Sequence, residues 1–510
     1  MKPKKLFTAF AASAMLIAPM LLNTSFAQAS THHELKTAVT KIAGKKNYAI
    51  YESVDANGPH KKIANTKIFK YNHLESKEFT KTKAGTYWLL IVNGRAIGWV
   101  NQNFFARNAL SVAKHVSLVQ NSHSKFATKD AISYATNSTG SMIDPNKVSR
   151  SAKYIKTNHG GYKYVTYKNH GTFKKVKVMT RVDPDEGISD AGIEPNNSYQ
   201  TQSTWHGSSK SSSAKWNTEH NFANETRKNN YTANGMTLTT RLYQPHFLSL
   251  NYGMNDQFSQ VGAIPEGIAM NNNTLAVSLF NNSHNLNGHL VTYNLNKLKD
   301  PYAAQNLTAM PWRQFVDYSR NIKVSPYLKL GHGQALGMTE KYIYVLANNS
   351  KLKNSDQSEE IMQIRRSDMQ LNKIWSIKVW NHDSATPRYF HNATFVNDHT
   401  MYGLFHNATK GRYEYWRLTR TGDSWIPEEV AATDSDLISN SPVQGFTYDT
   451  QNQNFYVGFN DFIFKMNHNG DVLKDYQFDT KRELEGLSAD QGKLNVELTK
   501  RAELLQTNIK

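Results

Sequence analysis

One frame recurs through the second half of the chain and constrains its fold more than any other feature. IPEGIAMNNNTLAVSLFN starts at Ile264, HGQALGMTEKYIYVLANN at His332 and FHNATFVNDHTMYGLFHN at Phe390, and the three align without a gap. PVQGFTYDTQNQNFYVGFN, from Pro442, carries two extra residues, and ELEGLSADQGKLNVEL, from Glu483, is a fifth copy. Each copy reads polar, small, apolar, then a turn, then an alternating strand. The polar position holds Glu266, Gln334, Asn392, Gln444 and Glu485, and the small position Gly267, Ala335, Ala393, Gly445 and Gly486. A further strand follows each frame, at 290–295, 361–364, 413–418, 462–466 and 504–509. Units of roughly 40–50 residues with three to four strands are the signature of propeller blades. The expectation for residues 236–510 is therefore a β-propeller of about five blades, with a strand set at 238–252 completing or closing the ring.

A propeller gives the frame a geometric meaning. Its small residue lets backbones crowd near the axis, and its polar residue then rings a central channel. The two carboxylates and three amides either bind a cation or a sugar hydroxyl, or hydrogen-bond neighbouring blades. Glu266 and Glu485 should stand side by side where the last blade meets the first. Two close carboxylates repel, so a raised pKa, a bound cation or an incoming Lys or Arg is expected there. No cofactor is expected beyond such a structural cation.

Charge divides the chain. Residues 30–182 hold 26 Lys and Arg against 7 Asp and Glu, whereas residues 183–510 hold 31 against 34. Two charge regimes imply two modules with different partners, the basic one seeking a polyanion. Residues 1–29 carry Lys2, Lys4 and Lys5, an apolar run over 6–22, and Ala27-Gln28-Ala29, the pattern of a signal peptide cut after Ala29. No later stretch is apolar enough to span a bilayer. The expectation is a secreted, cell-wall-associated protein. The chain has no cysteine, which excludes disulfides, thiolate catalysis and cysteine-ligated metals. Export without cysteine fits a Gram-positive habit, where the nearest polyanions are wall teichoic and lipoteichoic acids rather than nucleic acid.

Residues 30–107 read as a small β module. Short strands lie near Tyr48-Ala49-Ile50-Tyr51, Ile68-Phe69 and Phe79-Thr80, with His32-His33 as an exposed mature end. GTYWLLIVNGRAIGWVNQNFF (85–105) is a hairpin turned at Asn93-Gly94. This stretch resembles the GW modules of Gram-positive surface proteins, on Gly85, Tyr87, Trp88, Gly94, Gly98 and Trp99. The resemblance implies an SH3-like barrel that holds teichoic or lipoteichoic acid. Tyr87, Trp88 and Trp99 are the candidate wall-binding side chains, unless they are barrel core. Residues 108–152 read as a connector with a short helix over 108–119. Residues 153–182 read as a basic hairpin in which Lys175 and Lys177 share a face and pairing brings Lys163 beside them. They form either a second polyanion site or a solvated charged edge. Residues 183–235 read as a linker.

The second half also resembles the helveticin J family of large, class III bacteriocins of lactobacilli. The likeness rests on HLVTYNLNKLKD (289–300), Val443-Gln444-Gly445 and the final Glu483-Leu484-Glu485-Gly486-Leu487. It implies a secreted antimicrobial whose propeller recognises an unknown receptor or envelope component, and it supplies no catalytic residues to carry over. Nucleophile elbows, zincin motifs, phosphate loops and dinucleotide fingerprints are absent from the sequence, so a non-enzyme is expected. Two alternatives stay open: a wall-retained adhesin binding glycans or glycosaminoglycans, and a propeller glycosidase or lyase using Glu266 and Glu485.

Overall fold

The structure is a computed structural model. It describes residues 32–510 apart from 45, 67–73, 93–94, 114, 121–124, 182–189, 192–227, 245–263, 281–286, 300–320, 326–327, 349–356, 382–383, 439–440, 500–501 and 510. The signal segment at 1–29, the strand expected at Ile68-Phe69, the Asn93-Gly94 turn and most of the linker at 183–235 lie outside the described residues. The described chain is all-β, its strands joined by turns and short 3-10 segments.

Strands β1 (His32–Lys41), β2 (Ala49–Val54), β3 (Pro59–Asn65), β4 (Leu74–Thr82), β5 (Gly85–Val92) and β6 (Arg95–Asn101) form one sheet, ordered β1-β4-β5-β6-β2-β3. Its neighbours are all antiparallel. His32 and His33 are exposed, yet they open β1 instead of forming a free end, because β1 pairs with β4 along its length. Apolar side chains cover both faces of the sheet. Trp88 packs with Ile50, Leu90, Val100 and Phe104 on one face, and Trp99 with Val54 and Tyr87 on the other. Gly98 has a specific cause: a Cβ there would stand 2.6 Å from the Tyr51 carbonyl oxygen, so only glycine lets β6 close on β2.

The segment expected to be a connector and a lone hairpin is instead one further module. It holds strands β7 (Leu110–Val112), β8 (His115–Val119), β9 (Lys125–Ala127), β10 (Ile132–Ala135), β11 (Ser149–Arg150), β12 (Tyr154–Lys156), β13 (Gly161–Asn169) and β14 (Thr172–Arg181), and all of them but β11 contribute to a common core. That core includes Leu110, Val116, Ile132, Val165, Tyr167 and Val178. The helix expected over 108–119 is β7 and β8. Val116 and Val178 face each other in a parallel pairing of β8 with β14, and this long-range contact overrides the local helical pattern.

Among the described residues, five antiparallel sheets of four or five strands follow, besides a two-stranded pair of Trp380–Asn381 with Ser384–Pro387. The first runs Ile264–Asn271, Thr274–Phe280, Asn287–Asn294 and Ile322–Val324. The second runs Leu336–Met338, Tyr342–Asn348, Ser358–Arg365 and Leu371–Lys378, and Asp190–Ala191 adds a parallel bridge at its outer edge. The third runs Asn392–Asn397, Thr400–Asn407, Arg412–Thr421 and Ser424–Ala432, and the fourth Gly445–Asp449, Asn454–Gly458, Phe462–Met466 and Val472–Gln477. The fifth joins Leu484–Asp490, Lys493–Leu498 and Glu503–Asn508 to Met236–Tyr243 and Asn230–Ala233. Each recurring frame spans the first two strands of one sheet. The first strands touch in turn, first to second, second to third, third to fourth, fourth to fifth and fifth to first. The half is thus propeller-like.

The small frame residues stand where these strands meet. A Cβ on Gly267 would lie 2.5 Å from the Gly333 carbonyl oxygen, and one on Gly486 would lie 2.9 Å from the Ile268 nitrogen. Hydroxyls fasten the same junctions. Ser488 Oγ accepts from the Met270 N–H at 2.8 Å, and Thr447 Oγ1 from the Ala489 N–H at 2.9 Å.

Candidate functional site

Three places carry the residues singled out in the sequence. In the N-terminal module, Tyr87, Trp88 and Trp99 are all buried, so their rings are packed rather than presented to solvent. The Trp99 ring lies 4.9 Å from that of His32, stacked at 28°, and Tyr87 meets Tyr51 edge-on at 6.0 Å. Trp88 has a cation against it: Lys41 Nζ lies 3.4 Å from its ring centroid and 4.8 Å from that of Phe105. Lys41 Nζ also donates to the Thr139 carbonyl at 2.8 Å and to Ser141 Oγ at 3.1 Å. Backbone bonds run beside it, Ile42 N to Gly140 O and Met142 N to Thr40 O. Lys41 thus fastens the end of β1 to the 137–142 turn of the second module. Burial pulls its pKa down to about 7.

The second place is the outer face of the β13–β14 hairpin. Tyr164 stands opposite Lys177, Thr166 opposite Lys175 and Lys168 opposite Phe173. Lys175 and Lys177 share that face, as expected. Lys163 does not join them. It stands opposite the buried Val178, so strand alternation puts it on the face of Val165 and Tyr167. Nor is the hairpin a charged edge, because β11 flanks β13 and β8 flanks β14.

The third place is the ring of frame residues. Gln334 Nε2 donates to Gln444 Oε1 at 2.5 Å and to Glu485 Oε2 at 3.3 Å, which brings three of the five polar positions into direct contact. Asn392 Nδ2 donates to the Val443 carbonyl at 3.1 Å, bridging the third and fourth sheets. Gln444 Nε2 reaches Glu483 Oε1 at 3.3 Å. Glu266 Oε2 lies 3.7 Å from His332 Nε2, and the His332 ring lies 4.2 Å from that of His391. The imidazole of His332 thus stands beside Glu266 and the amide of Gln334 beside Glu485. No cluster of three or more His, Asp or Glu suited to a metal occurs among the described residues. The two histidines went unnoticed in the sequence, although His332 is the residue at which the second frame starts.

A cleft of about 580 Å³ between the first and second sheets is lined by Lys323, Arg365 and Arg366 among others. Three of the cations that line it are engaged: Lys323 Nζ donates to the Arg366 and Ser367 carbonyls, Arg365 pairs with Asp368, and Arg366 reaches Asn271 Oδ1.

Residues 34–106 match the family model of the GW (Gly-Tryp) dipeptide domain, so the N-terminal module is a GW domain. No curated protein matches the chain. Solved structures similar to it include a glutaminyl cyclase of Myxococcus xanthus (10% identity, 49% of this chain and 91% of that chain, TM-score 0.30). A gluconolactonase of Xanthomonas campestris is similar at 8% identity over 54% and 90%, with TM-score 0.29. A virginiamycin B lyase from Staphylococcus aureus is similar at 13% identity over 48% and 70%, with TM-score 0.24. At these scores the likenesses say nothing of this chain's activity. No helix among the described residues is long and apolar enough to cross a membrane.

Proposed function

We propose that this chain is a secreted, wall-associated protein of bacteriocin-like type, akin to the helveticin J family. In this reading the basic third holds wall teichoic or lipoteichoic acid. The C-terminal half, a closed propeller of five blades, recognises a receptor or glycan of the envelope. One observation carries the reading: a GW domain at residues 34–106 lies within the segment that holds all the excess positive charge of the chain. Five meander sheets whose first strands touch in turn support the blade count and the closure. The frame residues Gln334, Gln444 and Glu485 are buried, and Gln334 donates to the other two, which supports a role in fastening the blades to one another. No cofactor is proposed.

The test is sedimentation of the mature chain with isolated Gram-positive walls. Binding is expected to fall when teichoic acids are stripped, and to fall with salt, since charges are screened over about 10 Å at 0.1 M. Undiminished binding to stripped walls rejects the reading. A lawn of related bacteria then separates its two forms: a clear zone supports the antagonist, and its absence with wall binding intact leaves an adhesin.

A further inference from the structure

We propose a second polyanion site on the outer face of the β13–β14 hairpin, built from Tyr162, Tyr164, Lys168, Phe173, Lys175 and Lys177. Its occupant is a linear phosphodiester-linked polyol chain. The site lies outside the GW domain, and the choice of occupant rests on the wall-binding reading above.

The face exposes what a folded chain normally hides. Tyr162, Tyr164 and Phe173 are 60%, 51% and 59% exposed, three of the six large hydrophobic residues exposed among the described residues. Tyr162 and Tyr164 touch, and Phe173 lies further along the same face with Lys175 between, which marks an interaction surface rather than scattered exposure. Each ring holds an ammonium. Lys177 Nζ lies 4.5 Å from the Tyr162 centroid, Lys175 Nζ 4.2 Å from that of Tyr164, and Lys168 Nζ 5.2 Å from that of Phe173. The two tyrosines meet edge to face at 5.7 Å. Cation–π contacts of this kind restrain long, flexible side chains, so a ligand that meets them finds the cations already placed.

Charge complementarity selects an anion. Residues 153–181 contain no Asp or Glu, and none of these three lysines has a carboxylate partner among the described residues. Geometry selects a chain. Lys175 and Lys177 are two residues apart on one strand face, about 7 Å at the usual rise, close to the spacing of successive phosphates along a three-carbon polyol. The rings already carry ammonium groups against them, so they are poorly placed as free stacking platforms. This argues against a single-stranded nucleic acid, whose bases need such platforms.

The test uses the mature full-length chain and deacylated glycerol-phosphate lipoteichoic acid as the probe, with affinity measured over a salt series. Lys175→Gln with Lys177→Gln should weaken binding by roughly an order of magnitude and flatten the salt dependence. Tyr162→Leu with Tyr164→Leu should weaken it with no change in net charge. The control is Lys129→Gln with Lys174→Gln, which removes equal charge elsewhere. Lys129 lies in the turn whose Thr128 carbonyl is bonded by Tyr167, beneath the inner face, and Lys174 stands opposite Tyr167. This control should bind as wild type. Equal losses in the hairpin and control pairs would mean that only net charge matters, and would overturn the site. Tighter binding of oligodeoxythymidine than of the polyol polymer would overturn the assigned occupant. A wild-type chain that ignores walls altogether defeats the wall-binding reading. A wild-type chain that binds walls, with the Lys175/Lys177 variant binding the polymer equally well, defeats this inference alone.

Discussion

Two residues of the GW domain show what its family motif is for. Trp99 follows a glycine that must be glycine, and it fills the small cluster with Val54 and Tyr87. Trp99→Ala should therefore cost roughly 3–5 kcal/mol, as large-to-small core changes do. Near-ultraviolet circular dichroism during melting should show early loss of the domain. A variant that melts like wild type but no longer binds walls would make Trp99 a contact residue instead. Lys41 makes a prediction about pH. Its folded pKa of about 7 lies below the ordinary value of 10.5, so between these limits the unfolded chain holds the proton more tightly. Stability from this group is thus least below pH 7 and rises with pH toward 10.5. Lys41→Met, which keeps the buried stem but not the amine, should abolish that part of the slope. Melting of wild type and variant at pH 6.5 and 9 measures it, and equal slopes would remove Lys41 from the account.

At the scale of the element, three sheets repeat a device that was not read from the sequence. A base just ahead of the frame pairs with a glutamate on the third strand of the same sheet: Lys329 with Glu360 at 2.7 Å, Arg388 with Glu414 at 2.9 Å, and Arg482 with Glu503. All six side chains are buried. Removing one partner of such a pair strands a charge, so Lys329→Met should cost roughly 3–5 kcal/mol, and adding Glu360→Leu should recover much of it. Chemical denaturation of the single and double variants decides, and a double variant as unstable as the single would show that the pair is net stabilising. The frames themselves were legible because each packs a small residue, a turn and a period-two strand into about 18 residues. The ion pairs were not, since their partners lie 31, 26 and 21 residues apart and a solitary lysine or arginine reads as surface. The second module was missed for a similar reason. Most of its strands are two to five residues long, and its parallel β8–β14 pairing leaves no local pattern. The face of Lys175 and Lys177 followed from alternation along one strand, whereas the place of Lys163 depended on the register between two.

For the molecule as a whole, the decisive feature of the C-terminal half is that its two ends share a sheet. Met236–Tyr243 pairs with Glu503–Asn508, so the last sheet is built from both the start and the finish of the unit. Glu503 pins the join: it is buried, it accepts from Thr240 Oγ1 at 2.5 Å and from Asn229 Nδ2 at 3.1 Å, and it pairs with Arg482. Thr240 and Asn229 are 263 and 274 residues from Glu503 in sequence. Closing so long a loop costs little more than closing a short one, because the entropy grows only as the logarithm of length. In return, closure covers the edge that Glu503–Asn508 would otherwise offer to another chain. Deleting residues 228–243 also strips the buried Met236, Leu238, Leu242 and Tyr243, each worth about 1.5–3 kcal/mol, and should therefore lower the melting temperature of this half by about ten degrees or more. It should also promote self-association through the bared strand, visible by light scattering. Thr240→Val removes one donor without cutting the chain and should shift stability in the same direction by about 1 kcal/mol. Retention on walls should survive both changes, because the excess charge and the GW domain lie in residues 30–182. A deletion variant that stays monomeric and melts at the wild-type temperature would make Met236–Tyr243 an appendage, and the ring would have to close by the contact between the first strands of the first and fifth sheets alone.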